Sequence, residues 1–148
     1  MDNLVYMLYD TGYMITMFNL HLIVLGKLKK THWKSAEAEY LKRLKIYAKI
    51  RLTEIPEESF RSESERASIQ EREAKKIQKY ITPGSIVIAC HERGKEFDSV
   101  ALAKFLEEKS QHGDELTMII GGPLGLNETI LQEAAVKLSL SKLKMSFG

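Results

Sequence analysis

Four short apolar runs, separated by helix-length segments, constrain this 148-residue chain more than any other feature. They occupy residues 19–25 (NLHLIVL), 50–55, 85–90 (SIVIAC) and 116–120. The first and third are apolar, rich in branched residues and read as buried strands, and the second and fourth also read as strands. Turn formers bound them: Gly26 closes the first, Pro56 ends the second, and Thr82-Pro83-Gly84 precedes the third. Between the first two, Trp33, Ala36, Tyr40, Leu44 and Tyr47 recur at three- and four-residue steps, which predicts an amphipathic helix with that stripe in the core. Residues 57–67 are charged and serine-rich and read as a loop. Ser68 and Glu71 then form a capping-box pattern for a helix running to about Tyr80. A third helix is predicted over residues 99–109, and Asn127 is placed to cap a fourth running to about Lys137. Parallel strands need crossover connections, and each gap here holds a helix. The expected fold is α/β, a mostly parallel sheet flanked by helices.

The length suits one domain, and 44% apolar content supports a core without disulfides. One cysteine, Cys90, excludes a disulfide framework and fits a reducing compartment. The first 26 residues carry Asp2 and Asp10 but no Lys or Arg, so the basic region of a secretory signal is missing. Asp10, Asn19 and His21 also interrupt any run of the ~20 apolar residues that a membrane helix requires. The expectation is a cytoplasmic protein with no membrane partner. The net charge of +2 is small, but it is unevenly spread. Residues 27–51 hold nine basic side chains (Lys27, Lys29, Lys30, Lys34, Lys42, Arg43, Lys45, Lys49, Arg51) against Glu37 and Glu39. A local cationic excess of this kind suits either a solvated helix face or contact with nucleic-acid phosphates.

In open parallel sheets, ligands bind at the carboxyl ends of the strands. Three segments fall there: residues 91–95, the loop Gly121-Gly122-Pro123-Leu124-Gly125-Leu126-Asn127, and the stretch after Leu138. The glycine loop lacks the Lys-Ser/Thr of a phosphate-binding P-loop and the spacing of a dinucleotide fingerprint, so a tight turn and a ligand cradle both remain open. Cys90 and His91 are neighbours on a strand end and should point to opposite faces, which argues against a nucleophile pair. The four histidines show no metal-ligand spacing, and no metal site is expected.

Read in order, several segments resemble the RlmH family. They are residues 20–29 (LHLIVLGKLK), Trp33, residues 39–44 (EYLKRL), Glu92-Arg93-Gly94-Lys95, residues 120–126 (IGGPLGL) and residues 138–143 (LSLSKL). That family comprises SPOUT-class methyltransferases, which methylate N3 of a pseudouridine in 23S ribosomal RNA. The resemblance implies S-adenosylmethionine as cofactor, the ribosome as partner with no role for DNA, a homodimer, and a SPOUT trefoil-knot fold. It carries the cofactor-binding role onto Cys90, Gly121, Leu140, Ser141, Lys142, Leu143, Lys144 and Met145. No residue is assigned the catalytic handling of the N3 proton.

The resemblance begins near Met17, so residues 1–16 are expected to be an extension and 17–148 the methyltransferase domain. Family members continue beyond the position of Gly148 with an apolar helix that completes the knot, so the expectation is a C-terminally shortened domain with the knot incomplete. Cys90 stands where relatives more often have Leu, and His91 where an acidic residue is common. A non-catalytic ribosome-binding remnant of the family is the alternative reading.

Overall fold

The computed structural model describes residues 17–141 in full, together with the backbone of Tyr6–Leu8 and Met14–Thr16. Those two short strands, β1 and β2, form their own antiparallel pair. The remaining strands are β3 (Phe18–Leu25), β4 (Ala48–Ile55), β5 (Ile86–Glu96), β6 (Leu116–Ile120) and β7 (Val136–Ser139). They build one sheet in the order β4-β3-β6-β5-β7, and every neighbouring pair is parallel. Helices α1 (Thr31–Leu44), α2 (Arg66–Gln78), α3 (Ser99–Ser110) and α4 (Glu128–Glu133) lie in the connections.

Alternation along β3 sends His21, Ile23 and Leu25 to one face, where all three are buried. There Ile23, Leu25, Ile55, Val87, Ala89 and Ile119 meet Ala74 and Ile77 of α2 and Ile130 and Leu131 of α4. Each fully buried Ile or Leu contributes roughly 1.5–3 kcal/mol relative to exposure. The opposite face is thinly covered: Leu20, Leu22 and Val24 are half-buried. Helices α1 and α3 touch β4 and β3 but add no residue to the core cluster.

Four expectations change. The stripe on α1 is not core: no residue of α1 is buried, and Trp33, Tyr40, Leu44 and Tyr47 are exposed. The apolar period is real, but the face it marks has no partner within the described chain. Helix α2 starts at Arg66, so Ser68 lies inside its first turn and donates to the Glu65 carbonyl (3.0 Å), while Glu71 pairs with Lys75 (2.8 Å). Asn127 does cap α4, accepting from the Thr129 amide at 2.8 Å. The helix nevertheless ends at Glu133, and Val136–Ser139 becomes a fifth strand of the sheet, because its backbone finds the open edge of β5. Finally, β5 continues through residues 91–95, which had read as a loop, by a register shift between Cys90 and Lys95.

At the amino end of the sheet, the same face carries a polar network. His21 is fully buried, and its Nε2 lies 2.8 Å from Thr53 Oγ1 while Nδ1 lies 3.7 Å from Glu115. Arg51 donates to both Glu115 oxygens (2.9 and 3.0 Å), and Thr82 donates to one of them (2.7 Å). Burial, reinforced by Arg51, pushes the His21 pKa below its ordinary value, although Glu115 works in the other direction. Burial opposes ionisation of Glu115, but the hydrogen bonds from Thr82 and Arg51 outweigh it and hold the carboxyl below the usual range.

A histidine with a depressed folded-state pKa stabilises the fold above its unfolded value of ~6.5, and that contribution is lost as the pH falls below it. Thermal melting should therefore decline between pH 7 and pH 5, at up to ~1.4 kcal/mol per pH unit from this site. His21→Gln keeps a donor for Thr53 but cannot titrate, and should flatten that interval. A melting profile of the same slope in the variant would assign the acid sensitivity elsewhere.

Candidate functional site

Because the strands are parallel, the loops after β5, β6 and β7 gather at one edge and enclose a cleft of about 510 Å³. The centre of this cleft is the glycine loop after β6. The Gly125 amide donates to the Gly122 carbonyl (3.0 Å), closing a turn in which Pro123 fixes one φ angle and Gly125 takes φ +75°. Gly121 is tightly packed: a Cβ there would lie 3.0 Å from the Leu126 side chain and 3.3 Å from its amide nitrogen. The loop is also tied from outside. Gln70 of α2 donates to the Leu124 carbonyl at 2.8 Å, and Arg66, held in turn by Glu63, reaches the same oxygen at 3.3 Å.

The third wall depends on a close backbone crossing. A Cβ at Gly94 would come within 2.5 Å of the Lys137 carbonyl oxygen, so only glycine lets the shifted end of β5 pass beside β7. Ser139 then joins the walls, its hydroxyl lying 3.0 Å from the Ser141 carbonyl and 3.2 Å from the Glu92 carbonyl. This explains why glycine stands inside the Glu92–Lys95 motif.

Of the site residues expected from the sequence, Cys90, Gly121, Leu140 and Ser141 line this one cleft. Lys142, Leu143, Lys144 and Met145 lie outside the described residues. Arg66 and Gln70 also line it and carried no sequence signal, since they stand more than fifty positions from the loop they hold. Cys90 and His91 both border the cleft, because the shift in β5 breaks strict alternation. They still form no nucleophile pair. Burial pushes the Cys90 thiol up to about 11, and His91 Nδ1 accepts from the Arg93 amide (3.1 Å). Among the described residues there is no group of three side chains fit to hold a metal ion. No helix of the described chain is long and apolar enough to cross a membrane.

The cleft is thus lined by the glycine loop, by aliphatic side chains (Ile120, Leu126, Leu131, Leu138) and by the polar side chains of Gln70, His91, Glu92 and Glu128, and its volume suits a small organic molecule. Comparison with known proteins identifies the setting. Residues 18–148 match the family model described as "Predicted SPOUT methyltransferase". The chain belongs to the SPOUT methyltransferase family. It is 38% identical to the ribosomal RNA large subunit methyltransferase H of Carboxydothermus hydrogenoformans, over 82% of this chain and 79% of that protein. The proteins of the same name from Pelotomaculum thermopropionicum and Symbiobacterium thermophilum are each 35% identical, over 86% and 84% of this chain and 82% and 81% of their own lengths. The five-stranded parallel sheet is consistent with the SPOUT fold, and the family match makes this chain a methyltransferase by kinship.

A crowded and an uncrowded glycine separate by substitution. Gly94→Ala must push β7 away from β5, and overpacking of that kind costs ~1–3 kcal/mol. Gly122→Ala meets nothing closer than 3.7 Å and should leave the melting temperature nearly unchanged. Thermal denaturation of both variants checks this, and equal losses would remove the crossing as the constraint.

Proposed function

We propose that this chain methylates N3 of a pseudouridine in the 23S RNA of the large ribosomal subunit, with S-adenosylmethionine as methyl donor, as a cytoplasmic homodimer. The observation that carries the reading is the convergence of Cys90, Gly121, Leu140 and Ser141 on one strand-end cleft in a SPOUT family member. The residues fit such a cofactor. Gly121 and Gly122 let the backbone approach a flat heterocycle closely, aliphatic walls suit its faces, and the carbonyls and amides of the loops suit its polar edge and ribose. By resemblance, Lys142, Leu143, Lys144 and Met145 also bind the cofactor. When bound, S-adenosylmethionine supplies a methyl group activated by a positively charged sulfur.

What the chain itself contributes is position. Methyl transfer requires nucleophile, carbon and leaving sulfur in line, so the rate depends on how rigidly the walls are set. Gln70 and Arg66 fix the Leu124 carbonyl, and Gly94 fixes the spacing of β5 and β7. The Cys90 thiol stays protonated at neutral pH and does not serve as the base.

The homodimer is supported by the unpartnered row on α1, where Trp33 is 55% and Tyr40 64% exposed beside Leu44. Aromatic side chains of this size bury ~150–250 Å² each, and a second copy would cover them. Replacing Trp33 and Tyr40 together with Glu should shift the protein toward monomer in sedimentation experiments, with secondary structure retained. An unchanged dimer would place the interface elsewhere, and a wild-type monomer would withdraw this part of the reading.

The principal test joins calorimetric titration with S-adenosylmethionine to methyl incorporation into ribosomes lacking the modification. Saturable binding and incorporation at the pseudouridine are expected, and Gln70→Ala should weaken cofactor binding at least several-fold. Binding without incorporation would favour the non-catalytic ribosome-binding alternative. Absence of both would overturn the proposal.

A further inference from the structure

Nine basic residues crowd positions 27–51, but the fold does not keep them together. Register places Leu25 beside Ile55 and Val24 beside Ile120, so the segment after β3 emerges at the same edge as the glycine loop after β6. Lys27, Lys29 and Lys30 occupy that segment, and Lys34 lies in the first turn of α1. Helix α1 then runs back for 14 residues, which at ~1.5 Å per residue carries its far end about 20 Å away. Lys42, Lys45 and Lys49 therefore belong to the opposite edge, where the Phe18 amide donates to the Tyr47 carbonyl (3.0 Å). The remaining two cations are engaged, Arg43 by Glu39 (2.9 Å) and Arg51 by Glu115.

One ion pair and the position of its carboxylate place the first group beside the cleft. Lys29 Nζ lies 3.7 Å from Glu57. The Glu57 carboxylate in turn lies about 4.0 Å from where a Cβ on Gly122 would stand, and 3.4 Å from the same point on Gly26. Gly122 is part of the cleft wall. Lys27, Lys30 and Lys34 are exposed and have no ion-pair partner among the described residues, and no acidic side chain stands in the first turn of α1.

We infer that Lys27, Lys30 and Lys34 form the surface that holds the phosphate backbone of the substrate RNA beside the cleft, with Lys29 flanking it, and that the cations at the far end of α1 take no part. This rests on the RNA substrate proposed above and adds which surface meets it. The argument is charge complementarity combined with placement. A polyanion whose base must enter the cleft passes over the edge on which the cleft opens, and these lysines are a cluster of unneutralised cations there, with Arg93 exposed on the opposite flank beside His91 and Glu92. Within one protomer, a cluster about 20 Å away at the opposite edge of the sheet cannot touch the nucleotides next to the reacting base.

The test compares two triple variants of the full chain, Lys27→Ala/Lys30→Ala/Lys34→Ala and Lys42→Ala/Lys45→Ala/Lys49→Ala. Binding to isolated large ribosomal subunits is measured over a range of KCl concentrations. Each lost phosphate contact should reduce the slope of log K against log salt by ~0.7–0.9, so the first variant should lose about two to three units of slope and the second less than one. Calorimetry with S-adenosylmethionine and thermal melting should be unchanged in both, which separates lost RNA contact from a damaged cleft or fold. Wild-type slope in the first variant, or equal losses in the two, would overturn this surface while leaving the methyltransferase reading intact. A wild-type chain that does not bind large subunits would overturn that reading, and the surface with it.

Discussion

The parallel ladder running through β3, β6, β5 and β7 is the constraint on which the rest depends. Parallel strands begin at one edge and end at the other, so every loop that follows a strand is delivered to the same side. The ladder holds because its central strands are dry: Ile23, Ala89 and Ile119 have no exposed surface, and their backbone groups have no water to return to. Loops distant in sequence are thereby fixed relative to one another with the precision of a hydrogen-bonded sheet.

The glycine loop at the centre of the cleft depends on close backbone packing. Gly94 leaves no space for a side chain, Gly121 is crowded by Leu126, Gly125 supplies a positive φ, and two α2 side chains are spent on one carbonyl oxygen. The one ionisable thiol facing the cleft is held protonated by burial. That composition agrees with a reaction controlled by alignment, and sets this edge apart from the opposite end of the sheet, where His21, Arg51, Thr53, Thr82 and Glu115 form a polar network serving stability.

Much of this was legible residue by residue. The strand over residues 116–120 is where its apolar run places it, and Asn127 caps a helix because a short polar side chain can accept an amide that the helix leaves free. Other features were hidden by tertiary context. Val136–Ser139 carries a helix-compatible pattern, and only the open edge of β5 makes it a strand. Ser68 and Glu71 have capping-box spacing, yet the helix starts one turn earlier, where the short 3₁₀ turn at Glu63–Glu65 already leads into it. The α1 stripe has the period of a core face, but period reports which side is apolar and not what covers it.

The sequence by itself determined the α/β class, the strand-end loops and, through its ordered motifs, the family, because buried runs, glycines and caps act over a few residues and leave a local pattern. Only the tertiary structure decided that Arg66 and Gln70 hold the glycine loop, that Gly94 passes under Lys137, and that one cationic stretch divides between two edges. Those facts depend on which strand lies beside which. Neighbours in the ladder are set by the pairing of whole strands, and no short stretch of sequence contains that information.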